Sequence, residues 1–168
     1  MRGRILIAYA TQHGSTAEIA QAVGKELTAS GFDVEIAEIK NITSLSGYNG
    51  IVIGAPLYMG GLMKDVSQFI GRFALELARL PVASFAVGLT PVSKAAGNVD
   101  HAMECLHTSL SPIKPVGTIL FAGKLDPAGL GFIQRKMMEL GKVPAGDFRD
   151  WDLIAAWARE LPEKMGFS

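Results

Sequence analysis

The sequence predicts an α/β protein: a three-layer, doubly wound parallel sheet of five strands with helices on both faces. Three observations carry this. Short apolar runs alternate with amphipathic helical patterns along the whole chain. The central run, residues 51–55, is wholly apolar, as a strand covered on both faces must be. The hydroxyl-rich stretch Thr11-Gln12-His13-Gly14-Ser15-Thr16 joins the end of the first apolar run directly to the start of a helix. Sheets of this class bind ligands beyond the carboxyl ends of their strands, where the strand order reverses.

The first strand is residues 5–10, Ile5-Leu6-Ile7-Ala8-Tyr9-Ala10. A helix follows over 16–30, with Ile19, Ala20, Val23 and Leu27 on one face and Gly31 as its stop. Residues 32–39 set Val34 and Ile36 against Glu35 and Ala37, the pattern of an exposed, edge-like strand. Residues 51–55 form the third strand. Residues 64–80 form a helix with Val66, Phe69, Ile70, Phe73 and Leu77 on one face. A fourth strand over 82–89, a helix over 98–109 and a fifth strand over 116–122 come next. The last helix covers 152–161, with Leu153, Ile154, Ala156, Trp157 and Leu161 apolar and Asp150 or Asp152 placed to cap its start. Segment 123–150 is long for a plain connection. Within it, residues 132–140 read as a short helix with Ile133, Met137 and Leu140 on one face, a satellite core at the sheet edge or, around Met137-Met138, a contact for a membrane surface or a partner.

A chain of 168 residues suits one domain, 1–168. It is 49% hydrophobic and 19% charged, which excludes disorder. Sixteen acidic residues balance sixteen Lys and Arg, so the chain lacks the basic excess of a nucleic-acid binder. The same balance weighs against an acidic carrier that docks on basic partners. One cysteine, Cys105, excludes an internal disulfide and suits a reducing cytoplasm. The apolar run after Met1-Arg2-Gly3-Arg4 is too short for a secretory core, and no run is long enough to span a membrane.

Three loops at strand ends carry the chemistry. The first, 11–16, offers backbone N–H groups from Gln12 to Thr16 and the hydroxyls of Thr11, Ser15 and Thr16 at the positive end of a helix dipole. That is a cradle for a phosphate, and Gly14 lets the backbone approach it closely. His13 could add positive charge there or simply face solvent. The alternative for the whole stretch is an ordinary helix cap by Ser15 or Thr16, with Glu18 in the first turn. It is neither a Walker A loop nor a Gly-x-Gly-x-x-Gly turn. The second loop, Ala55-Pro56-Leu57-Tyr58-Met59-Gly60-Gly61, offers main-chain amides and a flat ring for a planar ligand. A surface turn with an incidental tyrosine is its alternative. The third loop, Leu89-Thr90-Pro91-Val92-Ser93-Lys94-Ala95-Ala96-Gly97, is small and polar. It can hydrogen-bond a ligand edge through its backbone, or serve only as a connection. His101 and Cys105 share a helix face, but two ligands do not make a zinc site, so no metal is expected.

Together these loops resemble the flavodoxin-like family. Thr11-Gln12-His13-Gly14-Ser15-Thr16 is similar to that family's phosphate loop for flavin mononucleotide (FMN). Ile51-Val52-Ile53-Gly54-Ala55-Pro56, with Tyr58 and Gly60, resembles its second loop, which flanks the isoalloxazine ring. The resemblance covers essentially the whole chain and implies the sheet order 2-1-3-4-5. It implies FMN as cofactor, held by Thr11, Gln12, His13, Gly14, Ser15, Thr16, Pro56, Leu57, Tyr58, Met59, Gly60, Leu89, Thr90, Pro91 and Gly97. One subgroup is closer, the menaquinone-dependent protoporphyrinogen dehydrogenases and their flavodoxin-domain relatives. The residues that carry this are His13-Gly14-Ser15-Thr16-Ala17-Glu18-Ile19-Ala20, Val52-Ile53-Gly54-Ala55, Phe121-Ala122-Gly123-Lys124-Leu125, Asp150-Trp151-Asp152 and Ala156-Trp157-Ala158-Arg159-Glu160-Leu161.

The resemblance implies a flavin-dependent oxidoreductase that passes electrons from an organic donor to a quinone-type acceptor, with protoporphyrinogen as a candidate donor. A membrane-dissolved quinone implies a cytoplasmic protein with transient contact at the inner membrane face. The alternative is a non-enzymatic electron carrier working with a redox protein. A phospho-switch receiver is excluded because the strand ends read Ala8-Tyr9-Ala10 and Gly54-Ala55-Pro56, without the acids it needs. A phosphotyrosine-phosphatase-like site is excluded because no Cys stands at the first strand end.

Overall fold

The computed structural model describes residues 2–12, 14–58, 61–89, 91, 99–125 and 146–167. The predicted helix at 132–140 lies outside them. β1 (Arg4–Tyr9), α1 (Ser15–Ala29), β2 (Asp33–Glu38), β3 (Gly50–Tyr58), β4 (Gly61–Leu62), α2 (Lys64–Arg72), α3 (Ala74–Arg79), β5 (Val82–Gly88), α4 (Val99–Leu110), β6 (Gly117–Ala122), β7 (Lys124–Leu125), β8 (Gly146–Asp147) and α5 (Trp151–Lys164) follow in chain order. The sheet order is β2-β1-β3-β5-β6, with β4 beside β3 as a short antiparallel return. Counting only the long strands, this is the expected 2-1-3-4-5.

All the long pairings are parallel. Ile5 lies opposite Val34 on one side and Gly50 on the other, Ile51 opposite Val82, and Ala83 opposite Gly117. Alternate strand residues therefore feed two separate cores. Ile5, Ile7, Val52, Phe85 and Phe121 pack on Ile19, Val23 and Leu27 of α1 and Ile154, Trp157 and Leu161 of α5. Leu6, Ala8, Ile51, Ile53 and Ala86 pack on Val66, Phe69, Ile70, Leu77, Leu106 and Leu110 of α2 to α4. Each buried Val, Leu, Ile or Phe side chain contributes about 1.5–3 kcal/mol by leaving water.

Three expectations are corrected, and the choice between two caps is decided. The helix predicted over 64–80 is two helices: at Phe73 the backbone leaves the helical region (φ −110°, ψ 23°). Phe73 is buried there, with its ring edge-on to Phe69 at 5.2 Å. Leu77 still donates to the Phe73 carbonyl, so the break is local. The apolar stripe of α5 is Ile154, Trp157, Ala158 and Leu161, whereas Leu153 and Ala156 are exposed. Steps of three and four residues keep that stripe on one face, and Leu153 falls off it. Of the two candidate caps, Asp150 accepts from the Leu153 N–H at 3.0 Å.

The third correction bears on the site. β3 does not end at Ala55 but runs on through Pro56 and Leu57 to Tyr58. Pro56 lies opposite Val87 of β5. A proline inside a strand needs a side on which no N–H is wanted. The Gly54 carbonyl accepts from the Ala10 N–H, so alternation turns the Pro56 nitrogen the same way, beyond the end of β1 at Tyr9. With no N–H to offer the Ala10 carbonyl, Pro56 ends the pairing with β1 while its pairing with β5 continues.

Candidate functional site

Parallel pairing delivers the ends of β1, β3 and β5 to one end of the sheet. From β1 the chain enters the loop 11–14, in which the Gly14 N–H donates to Thr11 Oγ1 at 2.9 Å. Gly14 has φ +88°, a left-handed conformation that a side chain resists, and it is the residue that caps α1. No side chain caps the helix among the described residues, so the cap by Ser15 or Thr16 is not realised. Ser15 instead opens α1 with its Oγ buried and without a hydrogen-bond partner among the described residues. Thr16 is buried at 2% exposure, and Gln12 is exposed.

Buried hydroxyls are normally bonded, and an orphan costs about 1–3 kcal/mol. Here it sits in the first turn of a helix whose N–H groups are also free to donate. The residues present therefore fit an anion: a hydroxyl and amides without intrahelical partners at the positive end of a dipole. Thr11 Oγ1 accepts within the loop, which leaves its proton for an outer acceptor.

From β3 the chain makes the hairpin into β4, with Tyr58 opposite Gly61 and Leu57 opposite Leu62. Met59, Gly60 and the Tyr58 side chain lie outside the described residues. The hairpin is pinned to α4. Ser109 Oγ donates to the Cys105 carbonyl at 2.8 Å and lies 3.4 Å from the Leu62 N–H. A Cβ at Gly61 (φ +116°) would stand 2.6 Å from Ser109 Oγ, so only glycine lets the hairpin lie this close. Leu89 follows β5 half-buried and Pro91 is exposed, while His13, Thr90 and Gly97 lie outside the described residues. Gly88 and Leu57 are neighbours across β5 and β3, since a Cβ at Gly88 would meet the Leu57 carbonyl at 3.4 Å.

One group near the first loop has no counterpart in the sequence reading. The Arg149 side chain is 4% exposed and reaches Glu18 of α1, Nη1 to Oε2 at 2.8 Å. Its Nε and Nη2 donate to the two oxygens of Asp147 at 2.9 and 2.7 Å. Those bonds hold the Asp147 carboxyl down to about 2, well below its ordinary 3.8, and hold the guanidinium firmly protonated. The partners lie 131 positions apart, so no local pattern could reveal the pair. On α4, Cys105 Sγ lies 3.6 Å from His101 Nε2. Among the described residues no group of three potential ligands could hold a metal, and no helix is long and apolar enough to cross a membrane.

Comparison with known proteins agrees with this fold. The family model described as "Flavodoxin domain" matches residues 6–152. Protoporphyrinogen IX dehydrogenase [quinone] of Escherichia coli (strain K12) is 26% identical over 172 residues, covering 94% of each chain. Among solved structures, oxidised Flavodoxin 1 from Bacillus cereus superposes with a TM-score of 0.58 at 16% identity, over 95% of this chain and 97% of that one. The flavodoxin of Streptococcus pneumonia TIGR4 superposes with a TM-score of 0.58 at 19% identity, over 96% and 99%.

Proposed function

The chain belongs to the flavodoxin domain family, and from that premise we propose that it is an FMN-dependent oxidoreductase. Its donor is a small organic molecule and its acceptor a quinone. The observation that carries the reading is the Ser15 Oγ at the head of α1, buried and without a partner among the described residues, beside the left-handed Gly14. The amides of residues 15 and 16 and the hydroxyls of Thr11 and Ser15 would bind the phosphate. His13 and Gln12 complete that loop. Pro56, Leu57, Tyr58, Met59 and Gly60 would flank one side of the ring, and Leu89, Thr90, Pro91 and Gly97 would line its edge. The flavin, when bound, supplies the hydride and electron transfer. The protein orients the ring, leaves one edge open to substrate and shields the rest from water.

A 26%-identical relative that bears the name of a quinone-linked protoporphyrinogen dehydrogenase makes protoporphyrinogen the first donor to try. A quinone acceptor would bring the protein into transient contact with the inner membrane face, from the cytoplasm. The test has two steps. The purified chain is titrated with FMN and flavin fluorescence is followed; affinity weaker than micromolar rejects the cofactor. The loaded protein is then mixed with a menaquinone analogue and protoporphyrinogen. Catalytic turnover is expected. Stoichiometric one-electron exchange with a redox protein, without turnover, would make the chain a carrier instead.

A further inference from the structure

We infer that Arg149 is a positioning residue for the cofactor's phosphate: it holds the Glu18 carboxylate away from the head of α1 and neutralises it. The inference rests on the flavin reading above. Glu18 lies in the first turn of α1, and its N–H donates to the Gly14 carbonyl at 3.2 Å. Side chains on a helix lean toward its N-terminus, so this carboxylate leans toward the loop that would hold the phosphate. A free glutamate there competes for the same positive dipole end and repels a dianion. In the fold it is not free. Arg149 Nη1 takes Glu18 Oε2 at 2.8 Å.

The cation is itself held on every side. Asp147 grips its other edge in a two-bond fork and also accepts from the Arg149 backbone N–H at 3.1 Å. The Trp151 ring lies under it, 4.7 Å from the guanidinium carbon. Asp147 is in turn fixed in β8, which pairs with β7. The Phe148 N–H continues this anchorage by donating to the Gly123 carbonyl at 3.0 Å. A surface ion pair would leave the Arg side chain in water and contribute little. This one is 4% exposed while its Glu18 partner is 59% exposed, so the cation is the fixed part and the carboxylate the part it restrains. Without the cation, two carboxylates would face each other near the phosphate loop.

The test compares FMN with riboflavin, the same ring without the phosphate. Arg149→Gln keeps hydrogen bonding and loses the charge. It is expected to weaken FMN about tenfold while riboflavin stays within about twofold. Arg149→Lys keeps the charge and is expected to keep the FMN-to-riboflavin ratio within about twofold of wild type. Adding Glu18→Gln to Arg149→Gln is expected to restore the ratio. Equal losses for both ligands would mean a general structural role and overturn the inference, as would an unchanged ratio or a failed restoration. If Arg149→Gln alone does not fold, the double variant takes its place and must retain the wild-type ratio; a fall there also overturns it. Wild-type protein that binds neither ligand would instead reject the flavin reading itself.

Discussion

At Ser15 a hydroxyl is buried without a partner among the described residues at the start of a helix, so the proposed phosphate role would set folding and binding against each other. The unmet hydrogen bond costs the free protein about 1–3 kcal/mol. Alanine is also the better helix former. Ser15→Ala is therefore expected to raise the melting temperature of the cofactor-free protein or leave it unchanged, while weakening FMN several-fold. A variant that loses stability and keeps its FMN affinity would show that the hydroxyl serves the fold. Thr16 makes a poorer probe: it is 2% exposed, so a carboxylate placed there would disturb packing as well as any phosphate. Gly54 shows the opposite case, a residue fixed by packing alone. A Cβ there would lie 2.1 Å from Phe85 Cζ, in a ring already held between Phe121 and Trp157.

Among the elements, the two-residue strands β7 and β8 carry more electrostatics than their length suggests. Asp147 in β8 has its carboxyl held to about 2, chiefly by hydrogen bonds from Arg149, against an ordinary 3.8. A pKa lowered by folding means the folded state prefers the charged form. The resulting stability is complete above about pH 4 and disappears as pH falls through about 2. Asp147→Asn is expected to melt below wild type at pH 6, with the gap closing as both are titrated toward pH 2. Thermal unfolding across that range checks it, and a gap independent of pH would assign the effect to shape rather than charge. The elements also show what a sequence makes visible. Ile19, Val23 and Leu27 announce α1 because their spacing is local. In the sequence the continuation of β3 through Pro56 looks like a loop, since what carries it on, the pairing with Val87, lies in another strand. Arg149 was invisible for the same reason: its meaning depends on Glu18, which only the closed sheet brings near.

Over the whole molecule, the candidate site belongs to no single segment. The Thr11–Thr16 loop, the hairpin after β3 and the start of the loop after β5 are far apart in sequence and meet only because parallel strands end together. An unfolded chain has no such site, so FMN must bind the folded state alone, and binding must then stabilise the fold by mass action. At a hundredfold excess over Kd that is about 2.7 kcal/mol. For a domain of this size, melting is expected to rise about 3–5 °C for each tenfold increase in free FMN above Kd. Riboflavin at equal concentration should give a smaller rise, because it cannot reach the anion site at Gly14 and Ser15. Both cores are expected to unfold in one transition that moves as a unit, since the strands between them are shared. Differential scanning calorimetry over a series of FMN concentrations measures this directly. A melting temperature that ignores FMN would remove the site, and equal shifts for FMN and riboflavin would remove the phosphate from it.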